Sequence, residues 1–140
     1  MVRTAPASPH QATAGTMTGR DFVVCALQLT RETRNILNAE TFSWMKRGAY
    51  LINVGRGAHV DEVALVKAID DGQLSGACLD VFSTEPLASS SPLWSHPGVT
   101  ITPHVASYWV DSGIAQVAEL CEQVRSGSAI TNLVDLERGY

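Results

Sequence analysis

The stretch Tyr50-Leu51-Ile52-Asn53-Val54-Gly55-Arg56-Gly57-Ala58-His59-Val60-Asp61 restricts the fold of this chain more than any other. Its first half is a continuous apolar run with a β-branched residue, which reads as a strand buried on both faces. Gly55 and Gly57 break that strand and flank one charged residue, Arg56. Asp61 follows as an N-cap, and Val63, Leu65, Val66 and Ile69 give a helical apolar stripe over Val60–Asp71, ended by Gly72. Strand, glycine-flanked Arg, then helix: this order puts a guanidinium just beyond the carboxyl end of a strand. In open α/β sheets that rim is where ligands bind. The planar fork of Arg suits a carboxylate, which it can hold by two parallel hydrogen bonds. The alternative reading is a surface Arg in an ordinary strand-to-helix turn.

The flanking segments repeat the alternation. Phe22–Leu27, Gly76–Phe82 and Val99–His104 are short apolar runs that read as strands. Thr30 is expected to cap a short helical turn over Arg31–Arg34, and a helix is expected over Ala39–Lys46, stopped by Gly48. Ile114, Val117, Leu120 with Cys121, and Val124 recur three and four apart, which predicts a helix over Asp111–Ser126 closed by Gly127. Uniformly apolar strands alternating with helices predict a parallel sheet with helices on both faces. The strand ends that carry Arg56, Glu85 and His104 then share one rim.

Composition excludes several classes. A net charge of −4 with no basic cluster argues against nucleic acid, and no apolar run approaches the ~20 residues of a membrane helix. With 45% hydrophobic and 17% charged residues, the 140-residue chain can build a modest core. Cys25, Cys78 and Cys121 are widely spaced and odd in number. They read as buried reduced thiols of a cytoplasmic protein, and their spacing offers no metal site. Residues 1–20 hold only Val2 and Met17 as larger apolar groups and are expected to be disordered.

What chemistry would use Arg56, Glu85 and His104 together? A 2-oxo acid has a carboxylate for Arg to grip and a carbonyl oxygen that becomes an alkoxide when hydride arrives. A protonated His can give that oxygen its proton. A neighbouring carboxylate favours the charged imidazole, the part that falls to Glu85.

Asn53-Val54-Gly55-Arg56-Gly57, Val60-Asp61-Glu62, Leu79-Asp80-Val81-Phe82, Glu85-Pro86-Leu87 and Thr102-Pro103-His104 together resemble the signature of the D-isomer-specific 2-hydroxyacid dehydrogenases, in order and spacing. Ser91-Pro92-Leu93-Trp94 and Glu137-Arg138-Gly139-Tyr140 resemble that family's glyoxylate/hydroxypyruvate reductase branch. The resemblance runs from about Asp21 to the C-terminus. It implies NAD or NADP as cofactor and a small 2-oxo or 2-hydroxy acid as substrate, with hydride transfer between them. By position, Arg56 would hold the substrate carboxylate and polarise its carbonyl. His104 would be the general acid in reduction and the base in oxidation, with Glu85 its partner. Asp80 would meet the nicotinamide carboxamide, Val54 and Gly55 would lie along the nicotinamide ring, and Leu27 and Thr30 would pack near the adenosine half. Arg56 and His104 border the cofactor as well. Gln28 stands where the family has proline, and Glu85 stands where a formate dehydrogenase-like branch has Gln. His59 matches no role and reads as a solvated loop residue, and His10 and His96 match none either. Tyr108 and Trp109 read equally as a wall of the substrate pocket or as an aromatic lid.

The family's G-x-G-x-x-G turn, which seats the pyrophosphate, has no match here, nor does the ribose-reading acid about twenty residues beyond it. The implied fold is therefore the second half of a Rossmann-like, doubly wound parallel sheet. Residues 21–110 would form this partial dinucleotide-binding domain, and 111–140 a C-terminal helix and tail that return to the substrate domain. A truncated form is expected, with an exposed apolar edge near Phe22–Leu27 unless a homodimer or a complementing chain covers it. The alternative is a non-catalytic fragment, an interaction or regulatory module without cofactor binding.

Overall fold

The computed structural model describes residues 14–106 and 110–129. The chain divides into two compact units, Met1–His104 and Val105–Tyr140. In the first, β1 (Phe22–Cys25), β2 (Ala49–Asn53), β3 (Leu74–Leu79) and β4 (Val99–Ile101) lie side by side in sequence order, every neighbouring pair parallel. The register aligns Cys25, Asn53 and Leu79 across three strands, and Val23, Leu51 and Ala77 beside them. These side chains share one face, and the core forms there. Leu51 and Ala77 pack in one cluster with Phe42 of α2 (Ala39–Trp44), Leu65 and Ala68 of α3 (Glu62–Asp70), and Met17 of the short α1 (Ala14–Met17).

Helices on both faces were expected, and among the described residues of this unit the helical cover lies on one. The reason is topological. Parallel crossovers are right-handed, so strands added always in the same direction carry their connections on the same side. On the opposite face Phe22 and Val24 are 66% and 58% exposed, and Tyr50, Ile52 and Cys78 are half-buried. Thus β2 is buried on one face, not both, and Phe22 and Val24 of β1 are exposed.

Local chemistry sets the element ends. Asn38 caps α2, its Oδ1 accepting from Thr41 N–H at 3.2 Å while Asn38 N–H donates to Thr41 Oγ1 at 2.9 Å. The helix stops at Trp44, short of Lys46, because Met45 takes extended backbone and turns into the core. Gly48, at φ 81°, leads into β2. Asp61 caps α3 by accepting from Ala64 N–H at 3.0 Å. Val63, read as part of the buried stripe, is 82% exposed. Thr30 caps the expected short turn, its Oγ1 accepting from Glu32 and Thr33 N–H while its carbonyl accepts from Arg34 N–H at 3.2 Å. The described part of the segment expected to be disordered, residues 14–20, is ordered. Met17 is buried in the core cluster, and Thr18 Oγ1 donates to Trp44 O.

The second unit contains α4 (Val110–Ser126), closed by Gly127 at φ 68°. Its stripe residues Ile114, Val117 and Val124 are exposed, and Cys121 with them, so Cys25 is the buried thiol of the three. Tyr108, Trp109 and the Glu137–Tyr140 motif lie outside the described residues. Among the described residues, no helix is long and apolar enough to cross a membrane.

The loops leaving β2 and β3 are pressed together at Gly57. A Cβ there would stand 1.8 Å from the Phe82 carbonyl carbon, backbone that cannot rotate away. Gly57→Ala is therefore expected to cost more than about 3 kcal/mol in urea unfolding. Gly113→Ala in α4 meets open space and should be neutral or stabilising.

Candidate functional site

The first component is the turn after β2. Val54 N–H still donates to Cys25 O at 2.9 Å, so the parallel ladder runs to the base of the turn. The buried Asn53 side chain then shapes it, accepting from Gly55 N–H and donating from Nδ2 to Arg56 O, each at 3.1 Å. Arg56 emerges exposed at the rim, its Nη1 donating to Gly55 O at 2.7 Å.

The second component follows β3. Asp80 N–H donates to Asn53 O, tying this strand end to the first. The Asp80 side chain is buried and accepts from Thr102 Oγ1 at 2.5 Å, beyond β4. Phe82 N–H donates to Glu85 Oε1 at 2.9 Å, and Ser83 donates from both N–H and Oγ to Glu62 Oε1 at 2.8 Å. The loop backbone is thus held by two carboxylates.

The third component is His104, whose Nδ1 meets Glu85 Oε2 at 2.8 Å. An ionised carboxylate can only accept, so Nδ1 carries the proton and Nε2 is the ring atom left for other chemistry. His104 sits at φ 55°, a left-handed conformation that costs a non-glycine residue about 1–3 kcal/mol and that clusters at functional sites. The Phe82 N–H, foremost, and then the His104 bond hold the Glu85 carboxyl below the usual carboxylate value, and the Arg56 charge adds to this. Arg56 therefore acts on the same carboxylate that His104 touches. His104 and Glu85 are thus in direct contact, and the Arg56 charge reaches the same carboxylate more weakly.

Of the other residues singled out from the sequence, Leu27 is exposed, Val54 half-buried and Gly55 buried. Thr30 is buried, its hydroxyl engaged in its own turn. Asp80 lies within the rim, one residue past the end of β3. His59 is the plain correction. It is not solvated but fully buried, because the turn Gly57–His59 folds its ring inward beneath Arg56. Asn53, Glu62 and Thr102 support the site without having been singled out; Asn at the last strand position before a tight turn was the readable signal.

Comparison with known proteins bears on this geometry. The family model described as "D-isomer specific 2-hydroxyacid dehydrogenase, NAD binding domain" matches residues 7–106. A glyoxylate/hydroxypyruvate reductase A of Photorhabdus laumondii is 42% identical over 125 residues, 89% of this chain and 40% of that protein. A D-isomer specific 2-hydroxyacid dehydrogenase of Xanthobacter autotrophicus, solved with NADPH and MES, superposes with a TM-score of 0.84 at 43% identity, over 91% of this chain and 53% of that one. An NADPH-dependent glyoxylate/hydroxypyruvate reductase of Sinorhizobium meliloti, solved with NADP and sulfate, also gives 0.84, at 37% identity over 91% and 42%. The chain spans about 40% of the length of the curated relatives it matches.

The lowered Glu85 value fixes a pH dependence. A carboxyl depressed in the folded state stabilises the fold above its unfolded value of about 4.5, and that contribution is lost as pH falls through the folded value. The stability difference between wild type and Glu85→Gln should be present at pH 7 and close below pH 4.5. In His104→Ala the Glu85 carboxyl, followed by carbon NMR, should move only part of the way back, because the Phe82 N–H remains.

Proposed function

The chain belongs to the D-isomer specific 2-hydroxyacid dehydrogenase family through its NAD binding domain, and from that premise we propose that it serves NAD(P)-dependent reduction of small 2-oxo acids, glyoxylate or hydroxypyruvate among them. The observation that carries this reading is the His104–Glu85 hydrogen bond with the Arg56 charge acting on the same carboxylate. In this reading the guanidinium of Arg56 grips the substrate carboxylate and polarises the adjacent carbonyl. His104 gives a proton from Nε2 to the carbonyl oxygen as it becomes an alkoxide, and takes it back in the reverse direction. Glu85 keeps the ring oriented through Nδ1.

The chemistry at the rim fits the nicotinamide end of a dinucleotide. Asp80 provides a buried carboxylate for the carboxamide, and the Val54–Gly55 backbone provides a flat wall without a side chain at Gly55. When bound, the cofactor supplies the hydride. Leu27 and Thr30 would border its adenosine half. Residues 21–110 act as part of a dinucleotide-binding domain, and 111–140 belong with a substrate domain. The exposed Phe22 and Val24 on the edge strand β1 support a second copy or a complementing chain as partner.

NADPH is the first cofactor to test, since it or NADP occupies two similar structures. Saturable NADPH binding by calorimetry with hydroxypyruvate turnover is the expected result. No binding would favour the alternative of a non-catalytic module, in keeping with the absent G-x-G-x-x-G turn. His104→Ala should lower kcat by about 10²–10⁴-fold. Arg56→Lys should raise KM by about ten- to a hundredfold, since an ammonium cannot make the two-bond grip.

A further inference from the structure

His59 takes no part in the proposed chemistry, yet it is fully buried and both ring nitrogens are engaged. The N–H of Arg56 lies 3.1 Å from Nδ1. A peptide N–H can only donate, so Nδ1 must be the bare, accepting nitrogen. Nε2 then carries the ring proton and donates to Gln28 O at 3.2 Å. The Cys25 Sγ stands 3.5 Å from the same Nδ1, and burial pushes its thiol up, which keeps it a protonated, weak donor. The imidazole therefore has one tautomer and one charge state that satisfy all of its neighbours. It bridges the segment after β1 to the backbone of the residue that carries the guanidinium.

We propose that His59 is a positioning residue: as the neutral Nε2–H tautomer it clamps the peptide of Arg56 to the Leu27–Thr30 segment and so sets where the guanidinium stands on the rim. This rests on the reading of Arg56 as the carboxylate grip. The clamp is reinforced from the other side, where Arg56 O accepts from His59 N–H and from Asn53 Nδ2. A second proton on the ring would point at the Arg56 N–H and break the clamp. The titratable groups facing the ring are the Cys25 thiol from β1 and the Arg56 guanidinium from its own loop. Among the described residues no carboxylate hydrogen-bonds to it. Burial, foremost, holds His59 below the usual histidine value; the Gln28 carbonyl opposes this, and the Arg56 charge adds to it. The neutral form is thus favoured in the fold over the unfolded chain.

The test uses the full chain and two near-isosteric substitutions. Asn places an amide oxygen near the Nδ1 position, and Gln places an amide nitrogen near Nε2. Nitrogen NMR of the His59 ring should read the Nε2–H tautomer. Hydrogen exchange at the Arg56 amide should be slow in wild type and His59→Asn, and about tenfold or more faster in His59→Gln and His59→Leu. KM for hydroxypyruvate should rise in the last two and be rescued in His59→Asn, with kcat moving less. Wild-type stability should fall as pH drops below about 6.5, the unfolded value, because the unfolded chain binds the proton that the folded one refuses; His59→Asn should lack this loss. An Nδ1–H tautomer, or equal Arg56 exchange in wild type and folded His59→Leu, overturns the clamp. Freed exchange with unchanged KM overturns the positioning role. Absence of all turnover in wild type counts against the proposed function, and the exchange data still decide the clamp.

Discussion

Four strands joined in parallel, in the order of the sequence, impose most of the geometry of this molecule. Each strand must be re-entered from the same end, so every connection crosses the sheet and every carboxyl end opens on the same rim. Arg56, Asp80 and His104 lie within three residues of those ends. Without the parallel ladder they would be scattered along the chain, up to 48 positions apart in sequence. The same constraint concentrates the helices on one face and leaves Phe22 and Val24 exposed on the other. Reversal of strand order, which brings helices to the second face and creates the crevice of a doubly wound sheet, does not occur within these four strands.

At the rim, backbone is fixed before side chains are. Glu85 and Glu62 accept from the consecutive N–H groups of Phe82 and Ser83. Gly57 lies hard against Phe82, where a Cβ would find no room. The loop bearing Arg56 and the loop bearing Glu85 are therefore one packed block, and movement of either must displace the other. Glu85 joins this block to His104 with its second oxygen. One carboxylate thus serves both as a backbone anchor and as a partner of an imidazole, and the Phe82 N–H, foremost, and the His104 bond both lower its value.

The parts of this structure that were legible in the sequence are those governed by local rules. Asp61 caps α3 because a short acceptor preceding a helical stripe has few other uses, and Gly72 ends it at positive φ. Apolar runs placed all four strands to within a few residues, and the alternation implied their parallel pairing. The errors share a different cause. Val63 was counted in a buried stripe and is exposed, since helical period marks a face but not its width. Met17 was dismissed with its polar surroundings and is buried, because one methionine fits a gap in the core. Cys121 was taken as buried on the strength of its apolar neighbours, which are themselves exposed in α4. Each depends on what lies opposite in space, and that is not written at any single position.

The histidines make the point most sharply, since residue type alone assigns them no role. His104 and His59 both follow a strand end in a glycine- or proline-marked turn. His104 is held at the surface by an ionised carboxylate, an arrangement that leaves one ring nitrogen open to solvent or ligand and suits proton exchange. His59 is enclosed by a peptide N–H, a carbonyl and a thiol, groups whose needs are met by the neutral ring and violated by the charged one. Exposure beside a carboxylate suits an imidazole to proton exchange, and burial between a donor and an acceptor suits it to a rigid strut. The fold places one of each on either side of Arg56, one reaching the guanidinium's electrostatic field through Glu85 and the other its backbone. In the proposed function, a residue that meets a substrate with a two-bond grip would thereby be fixed from below, while the group proposed to move the proton stays at the open surface.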